Sequence, residues 1–200
     1  FKKAFMMLQN FKKELVNKNE INEDLESNFS LIRKIIGKIS LKIEKKSKIY
    51  TCGNGGSAGD AQHVAAEGIV RLKPKINRKP IPIVSLAMDT STITACANDY
   101  GYEYIFSRPL EALAKKNDLL ICYSTSGKSQ NIIQVLKQAK KMKIFSICFL
   151  GGNGGAAKKL ANMSLVVKSN NVARIQETHI FLSHFILDEV EKRLLKKKKI

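Results

Sequence analysis

A histidine and a glutamate stand four residues apart, at His63 and Glu67, in an alanine-rich stretch that is typical of a helix. Residues at positions i and i+4 of a helix project from the same face, so these two side chains can act on one centre. Such a pair can ligate a divalent metal ion, or it can serve as a base and the group that orients it. The same spacing is also common on exposed helices without a role, so the pattern alone leaves all three interpretations open.

A second group of polar side chains lies near the end of the chain, where Gln176, His179 and His184 fall within one long predicted helix. In an α-helix, Gln176 and His184 project about 80° apart and lie roughly 12 Å apart along the axis. They can reach one centre only with extended side chains, which favours a site that belongs to a neighbouring protomer. His179 and His184 project about 140° apart. We therefore expect His179 to be a surface or interface residue outside the site.

Two segments rich in glycine and serine follow apolar runs of strand length. The first is GNGGS, from Gly53 to Ser57, and the second is STSGKS, from Ser124 to Ser129. Glycine lets backbone N–H groups approach a ligand closely, and the start of a helix attracts anions. Ser57 and Ser129 stand where the N-caps of the following helices are expected. Two such loops after strands of one sheet indicate a site for a phosphate monoester.

Neither segment completes a nucleotide-binding motif. Residues 53–58 fit the dinucleotide pattern G-x-G-x-x-A, but its acidic residue is expected about 20 positions on, and the nearest candidate, Asp89, lies about 30 positions past the motif. Residues 127–129 resemble the end of a Walker A motif, yet Cys122 occupies the position of its first glycine. A third glycine-rich segment, residues 151–155, carries no hydroxyl group. We interpret it as a flexible turn.

The elements that must position these residues alternate between strand and helix from residue 48 onward. The predicted strands are 48–52, 81–88, 119–124, 144–150 and 165–168, and the predicted helices are 57–71, 91–98, 103–114, 129–142, 156–162 and 172–196. This alternation is typical of a parallel sheet with helices on both faces, which binds ligands at the carboxyl ends of its strands. Before it, apolar residues recur at spacings of three and four from Ile21 to Ile43, which predicts an amphipathic helix with a shorter helix ahead of it. We expect a single α/β domain over residues 1–200, with a helical N-terminal extension at 1–47 and a core at 48–200.

The charge of the chain first suggests a polyanionic partner. The 200 residues include 35 Lys and Arg against 17 Asp and Glu, a net charge of +18. Most of the excess lies towards the two ends, because residues 51–129 hold only 9 basic and 7 acidic side chains. The basic runs contain no interleaved aromatic residues and no helix-turn-helix pattern. We therefore expect a solvated basic surface and no nucleic-acid partner.

The four cysteines, at positions 52, 96, 122 and 148, include no C-x-x-C pair, so a zinc ribbon or a redox motif is unsupported. Three of them lie in apolar strand-like runs, where a free cysteine is a small buried side chain. No apolar stretch reaches the roughly 18 residues that a spanning helix needs. These features favour a protein of the reducing cytoplasm, without a membrane partner.

Taken together, the motifs resemble those of the phosphoheptose isomerases, which are enzymes with a sugar isomerase (SIS) domain. The matching segments occur in the same order and cover nearly the whole chain from about residue 20: GNGGS at 53–57, DAQH at 60–63 with Glu67, NDYG at 98–101, STSGKS at 124–129, and ARIQE at 173–177 with His184. The resemblance implies a three-layer SIS-type sandwich with a five-stranded parallel sheet flanked by helices, and a homotetramer with sites at subunit interfaces. It also implies interconversion of sedoheptulose 7-phosphate and D-glycero-D-manno-heptose 7-phosphate through an enediol. In bacteria, this product supplies heptose for lipopolysaccharide, capsule or related surface glycans.

The resemblance further implies which residues form the site. One zinc ion per subunit would be held by His63, Glu67, Gln176 and His184. The substrate would be bound by Asn54, Gly55, Gly56, Ser57, Glu67, Arg71, Asn98, Asp99, Ser124, Thr125, Ser126, Ser129 and Gln176. Glu67 is the expected base and His184 the expected acid, although a tight metal ligand cannot easily be a free base as well, and the sequence leaves this conflict open.

Three positions depart from the family's pattern. Asn171 stands where many members have aspartate, and Ala173 stands where some members have it, so a contact made by those carboxylates is in doubt. Lys128 stands where asparagine is usual, which adds a cation beside the predicted phosphate loop.

Other functions remain to be separated from this one. A noncatalytic SIS protein that binds a replication initiator or another partner can lose the acid and the base, whereas this chain keeps Glu67 and His184. A regulator that senses a sugar phosphate would need a DNA-binding domain, which the first fifty residues do not supply. An isomerase of another sugar phosphate is a third alternative, against which the closing helix favours a heptose by resemblance only.

Overall fold

A five-stranded parallel sheet organises the computed structural model, which describes residues 2–200. Its strands are β1 (Ile49–Gly53), β2 (Ile83–Ser85), β3 (Leu119–Ser124), β4 (Phe145–Gly151) and β5 (Met163–Val167), in the order β2-β1-β3-β4-β5. Because the strand order reverses between β1 and β3, the loops that follow these two strands diverge and leave a crevice at the carboxyl edge of the sheet. Both predicted phosphate loops lie at this edge.

Within residues 2–200, eight α-helices surround the sheet. They are α1 (Lys2–Ser27), α2 (Phe29–Glu44), α3 (Gly56–Ile69), α4 (Thr90–Asp99), α5 (Ser107–Leu113), α6 (Gln130–Lys141), α7 (Ala157–Leu160) and α8 (Val172–Lys196), with a 3-10 turn at Tyr102–Tyr104. Alternate side chains of each strand point to opposite faces, so Ile121 of β3 joins a core with α1, α2, α3 and α8. Leu120 of the same strand joins a second core with α5 and α6. Because both faces of the sheet are covered, the strands are mostly apolar, which is why they were visible as apolar runs in the sequence.

The N-terminal helices differ from the prediction, because the stripe from Ile21 to Ile43 does not belong to one helix. The helix is interrupted at Asn28, whose side-chain amide donates to the backbone oxygen of Asp24 at 2.7 Å. Asparagine side chains compete with the helical hydrogen-bond pattern in this way. The apolar stripe nevertheless continues across the break, since Leu25 of α1 and Ile32 of α2 are both buried in the first core.

The first half of α1 has an apolar face that the rest of the chain does not cover. Its exposed apolar residues are Phe5, Met6, Met7, Leu8, Phe11, Leu15 and Val16, each 48–72% exposed. A cluster of this size on one helix is typical of a surface that packs against another protein or membrane surface. None of the helices in residues 2–200 combines the length and apolar character of a membrane span.

All four cysteines are free and buried, as expected for three of them from their apolar surroundings. Cys52, Cys122 and Cys148 lie side by side on β1, β3 and β4, and the sulfur atoms of Cys52 and Cys122 are 3.5 Å apart. Burial raises the pKa of the Cys122 thiol, so this thiol stays protonated at neutral pH.

His179 is fully buried, so the expectation of a surface or interface residue is wrong. Its ring lies beside those of Tyr123 and Phe149, and its Nε2 donates to the Leu150 oxygen at 3.2 Å. His179 and His184 do project from different sides of α8, as predicted, but the side that carries His179 packs against the sheet. Desolvation lowers the pKa of His179 to about 4.

This low pKa predicts a loss of stability in mild acid. As the pH falls below the pKa of an unfolded histidine, the unfolded chain gains a proton that folded His179 excludes until the pH nears 4. We expect this residue alone to lower the free energy of unfolding by about 2 kcal/mol between pH 7 and pH 5. Urea unfolding at the two pH values should show a smaller difference in the free energy of unfolding for His179→Phe than for the wild-type protein. An unchanged difference in that variant would contradict the assignment.

Candidate active site

Three side chains that were predicted to share a centre meet between α3 and α8. His63 Nε2 lies 2.7 Å from His184 Nε2 and 3.4 Å from Glu67 Oε1. The ligand atoms of the three residues all lie within 4.8 Å of one another. We call these residues, His63, Glu67 and His184, the metal group.

The metal group forms within one chain. Gln176 also contacts α3 of its own chain, because a Cβ atom added to Gly56 would lie 2.5 Å from Gln176 Nε2. The spacing led to the hypothesis that Gln176 and His184 serve the site of a neighbouring protomer, whereas here both side chains lie at α3 of their own chain. Helical geometry alone suggested it, whereas the direct packing of α8 on α3 brings both side chains to the same helix.

The residues of the metal group fit a divalent cation. Two imidazole nitrogens and a carboxylate oxygen are ligands that zinc accepts. The two imidazole nitrogens face each other at 2.7 Å, where two lone pairs would repel unless a proton or a cation lies between them. Glu67 Oε2 is buried and has no hydrogen-bond partner among the described residues. A buried carboxylate oxygen of this kind needs a donor or a cation, which a bound metal or substrate would supply.

Asp60 lies one turn before His63 on α3. Burial raises the pKa of Asp60 to about 6, and the interaction with His63 opposes this shift only in part. Its Oδ2 atom is buried without a hydrogen-bond partner in the described part of the chain. In the sequence Asp60 was only part of a motif, since its burial depends on how α3 packs.

The loop after β1 begins its helix earlier than predicted. Gly55, with a φ of +54°, occupies the N-cap of α3, so Ser57 lies inside the first turn and is not the cap. Ser57 is buried, and its backbone oxygen would lie 2.3 Å from a Cβ atom on Gly53. The close packing of strand and helix at this corner therefore requires glycine at position 53.

Asn54 joins this loop to two other parts of the site. Its Nδ2 donates to Asn131 Oδ1 at 2.9 Å, and Asn131 Nδ2 donates back to Asn54 Oδ1 at 2.8 Å. The Tyr102 hydroxyl donates to the same Asn54 oxygen at 3.1 Å. Tyr102 follows the predicted pair Asn98 and Asp99, which are themselves hydrogen-bonded at 2.8 Å. The sequence offered no signal for Asn131 or Tyr102 beyond their positions just after two predicted motifs.

The loop after β3 leads into α6 and keeps one hydroxyl free of capping. Ser129 is the N-cap of α6, but its side chain makes no capping hydrogen bond. The hydroxyls of Ser124 and Ser126 accept hydrogen bonds from Gly127 N and Lys128 N, at 3.1 and 3.2 Å. A cavity of about 550 Å³ opens beside this loop, and its lining includes Thr125, Ser126, Lys128, Lys168 and the segment 151–153. Within the lining, Lys168 is paired with Asp24 of α1.

The glycine-rich segment 151–155 is a turn, as expected, and it also supports the loop after β3. Gly127 has a φ of +63°, and a Cβ atom on it would lie 2.0 Å from Gly154 O. Ala157 N donates to Gly127 O at 3.0 Å. The two loops thus pack backbone against backbone. The sequence shows no sign of this contact, because the segment was judged only by its lack of hydroxyl groups.

Two further positions have clear places in the fold. Arg71, a predicted substrate residue, is exposed beyond the end of α3. Asn171 is the N-cap of α8 and accepts hydrogen bonds from Ala173 N and Arg174 N at 3.0 and 3.3 Å. An asparagine at this position therefore caps the helix that carries His184.

Comparison with known proteins connects this geometry to a family. Residues 16–151 match the family model described as SIS domain. The phosphoheptose isomerase of Helicobacter pylori strain P12 is 41% identical over 186 residues, which cover 93% of this chain and 96% of that protein. This chain belongs to the phosphoheptose isomerase family. The resemblance predicted from the motifs is thereby confirmed.

Other members of the phosphoheptose isomerase family agree with this assignment. The phosphoheptose isomerase of Campylobacter concisus is 44% identical over 181 residues, which cover 87% of this chain and 94% of that one. The solved structure of the Neisseria gonorrhoeae phosphoheptose isomerase matches with a TM-score of 0.86 at 31% identity, and covers 93% of this chain and 99% of its own. The predicted SIS fold, a five-stranded parallel sheet flanked by helices with helices at the N-terminus, is confirmed.

Proposed function

We propose that this chain interconverts sedoheptulose 7-phosphate and D-glycero-D-manno-heptose 7-phosphate through an enediol. The observation that carries the proposal is the meeting of His63, Glu67 and His184 in a chain of this family. Conversion of a ketose to an aldose moves a proton between two neighbouring carbons. It needs a base at the carbons, an acid at the oxygens and an anchor that holds the substrate in place.

Glu67 acts as the base and His184 as the acid. The two oxygens of Glu67 have different surroundings, because Oε1 faces His63 at 3.4 Å whereas Oε2 is buried without a partner. Oε2 can therefore accept the carbon-bound proton while Oε1 stays beside His63. In this proposal Oε1 is the ligand atom and Oε2 is the base, so one carboxylate serves in both roles. His184 is half-buried beside His63. Its Nε2 faces the metal group, so the proton that we propose it donates to the enediolate is the one on Nδ1.

His63, Glu67 and His184 hold a zinc ion in this proposal, with Gln176 as the fourth ligand that the family resemblance implies. When bound, zinc polarises the carbonyl and stabilises negative charge that develops on the substrate oxygens. Glu67 Oε1, which lies 3.4 Å from His63 Nε2, and the facing imidazole nitrogens of His63 and His184 support this assignment.

The phosphate group binds at the start of α6, where the helix dipole and the hydroxyl groups favour an anion. Ser124, Thr125, Ser126 and Ser129 supply the hydroxyls, and Lys128 adds a positive charge at the neighbouring cavity. The other residues proposed to contact the substrate are Asn54, Gly55, Gly56, Ser57, Glu67, Arg71, Asn98, Asp99 and Gln176. The hydrogen bonds that join Asn54 to Tyr102 and Asn131 support a shared site for these segments.

In the cell, the product would supply heptose for lipopolysaccharide, capsule or related surface glycans, and the reaction would take place in the cytoplasm. The buried free cysteines are consistent with that compartment. We also propose that residues 1–200 fold as a single domain, in which residues 1–47 extend the α/β core of residues 48–200. The first hydrophobic core supports this, because it includes residues of α1, α2, α3 and α8 together.

A turnover assay tests the proposed activity. Purified protein is expected to convert sedoheptulose 7-phosphate to the heptose 7-phosphate, to lose this activity on treatment with a chelator, and to recover it when zinc is added. Magnesium added in place of zinc serves as the control. Binding of the sugar phosphate without turnover would contradict the proposal and favour a noncatalytic SIS protein, and full activity after chelation would contradict only the role of zinc.

We further propose a homotetramer with active sites at its subunit interfaces. The support is the exposed apolar face of α1, which would be covered by another copy of the chain. Sedimentation equilibrium should give the mass of four chains, and Leu8→Glu with Phe11→Glu should lower it. Lys12→Glu, an exposed change on the same helix, should leave the mass unchanged. A monomeric wild-type protein would refute the proposal.

A further inference from the structure

Arg78 and Glu191 form a buried ion pair next to the metal group. Arg78 lies in the segment between α3 and β2, and Glu191 lies on α8. Their side chains are only 1% and 2% exposed, and Arg78 Nε donates to Glu191 Oε2 at 2.5 Å. Charged groups that lose this much hydration must be paired and hydrogen-bonded, so the pair holds a defined geometry.

The remaining guanidinium nitrogens of Arg78 bind the end of α3. Nη2 donates to the backbone oxygen of Glu67 at 2.7 Å, and Nη1 donates to that of Gly68 at 2.9 Å. The last four carbonyls of a helix have no partner within it. Arg78 therefore caps α3 from outside the helix, and one of the carbonyls that it holds belongs to Glu67 itself.

Glu191 connects this cap to the helix that carries His184. It follows His184 by seven residues, so the two side chains project within about 20° of each other on α8. The connection runs from the backbone of Glu67 through Arg78 to Glu191, and along α8 to His184. Both ends of this connection are members of the metal group.

We infer that Arg78, held by Glu191, is a positioning residue that sets how Glu67 and His63 on α3 face His184 on α8. The effect on turnover rests on the proposed function, whereas the effect on the geometry of the metal group does not. If the ion pair only stabilised the fold, its removal from a folded protein would leave the metal group unchanged.

The test replaces both partners, in the variant Arg78→Met with Glu191→Leu. Apolar side chains of similar size leave no unpaired charge in the core, so this variant is expected to fold. Lys73→Met with Asp188→Leu is the matched control. That ion pair also joins the segment after α3 to α8, but it is partly exposed, and neither partner binds a carbonyl of α3 among the contacts of the described residues.

The three histidines provide a readout that is independent of activity. In imidazole NMR spectra of the metal-free protein, we expect the His63 and His184 signals to move in the Arg78→Met, Glu191→Leu variant while the His179 signal stays in place. Its zinc affinity should fall about 10- to 100-fold, the effect typical of residues that orient ligands. The kcat for isomerisation should fall by a similar factor, with KM within about threefold of wild type.

The control variant separates the possible outcomes. The inference would be overturned if the Arg78→Met, Glu191→Leu variant matched the control variant in zinc affinity and in the positions of its His63 and His184 signals. Displacement of the His179 signal as well would mean that the pair only holds the fold, which also overturns it. Arg78→Lys gives a second test, because lysine keeps the charge opposite Glu191 but cannot span both carbonyls, so it should move the same two signals by less. A wild-type protein without isomerase activity would refute the proposed function and leave the NMR and zinc measurements to decide the role of Arg78.

Discussion

Replacing Glu67 by glutamine should lower kcat by about 10²- to 10⁴-fold, the usual contribution of a general base, and leave KM within about threefold. Glutamine keeps the shape of the side chain but cannot accept the proton at the buried position of Oε2. His184→Gln should have an effect of similar size because it removes the proposed acid. Steady-state kinetics with sedoheptulose 7-phosphate measures both effects.

Glu177→Gln is the matched control for the charge change. Glu177 lies on α8 and is paired with Lys18 and Arg174, at 3.0 and 2.6 Å. It is outside the proposed catalytic pair, so turnover should stay near that of wild type. The zinc content of each variant should be measured, since a Glu67→Gln protein that keeps its metal but not its turnover has lost the base. Undiminished turnover in either Glu67→Gln or His184→Gln would refute the role assigned to that residue.

Gly127→Ala is expected to raise KM by at least about tenfold and to lower the free energy of unfolding by about 2 to 4 kcal/mol. Its φ of +63° is strained for alanine, and the added Cβ atom would lie 2.0 Å from Gly154 O. To relieve this contact, the loop after β3 must move away from segment 151–155 and carry its hydroxyl groups with it. Urea unfolding and steady-state kinetics measure the two effects.

Gly152→Ala isolates the contribution of backbone conformation. Gly152 has a nearly equal φ of +59°, but an added Cβ atom would meet only Asn170 Oδ1, at 3.6 Å. This variant should lose only about 1 kcal/mol, the cost of the left-handed conformation. If Gly127→Ala were no more harmful than Gly152→Ala, packing between the two loops would not position the phosphate site.

Strand and helix positions could be predicted wherever an apolar pattern ends at a clear boundary. β3 and α8 occupy the predicted ranges, 119–124 and 172–196. β2 begins later than the predicted residue 81, because Pro82 has no N–H to donate, and only residues 83–85 pair with β1. β5 begins earlier than predicted, at Met163, where polar Ser164 interrupts the apolar run.

The site could be predicted only as far as local spacing reaches. The four-residue separation of His63 and Glu67 places them on one helix face in any fold. The position of His184 relative to His63 and Glu67 depends on how α8 packs against α3. The geometry of a single helix does not predict that packing. The contact of Arg78 with Glu191 joins residues 113 apart in the chain, and no local pattern marks either partner.

The positions of the four buried cysteines allow thiol labelling to measure where the folded structure opens. Cys52, Cys122 and Cys148 lie within three adjacent strands and are fully buried, while Cys96 is buried on α4. A thiol reagent in solution can react with them only when the surrounding structure opens. Labelling of Cys96 would record the detachment of α4, and labelling of the three strand cysteines would record the separation of the sheet, which is expected to need nearly global unfolding. Without any introduced probe, the labelling rate of Cys96 relative to those of the strand cysteines would compare the stability of α4 with that of the sheet.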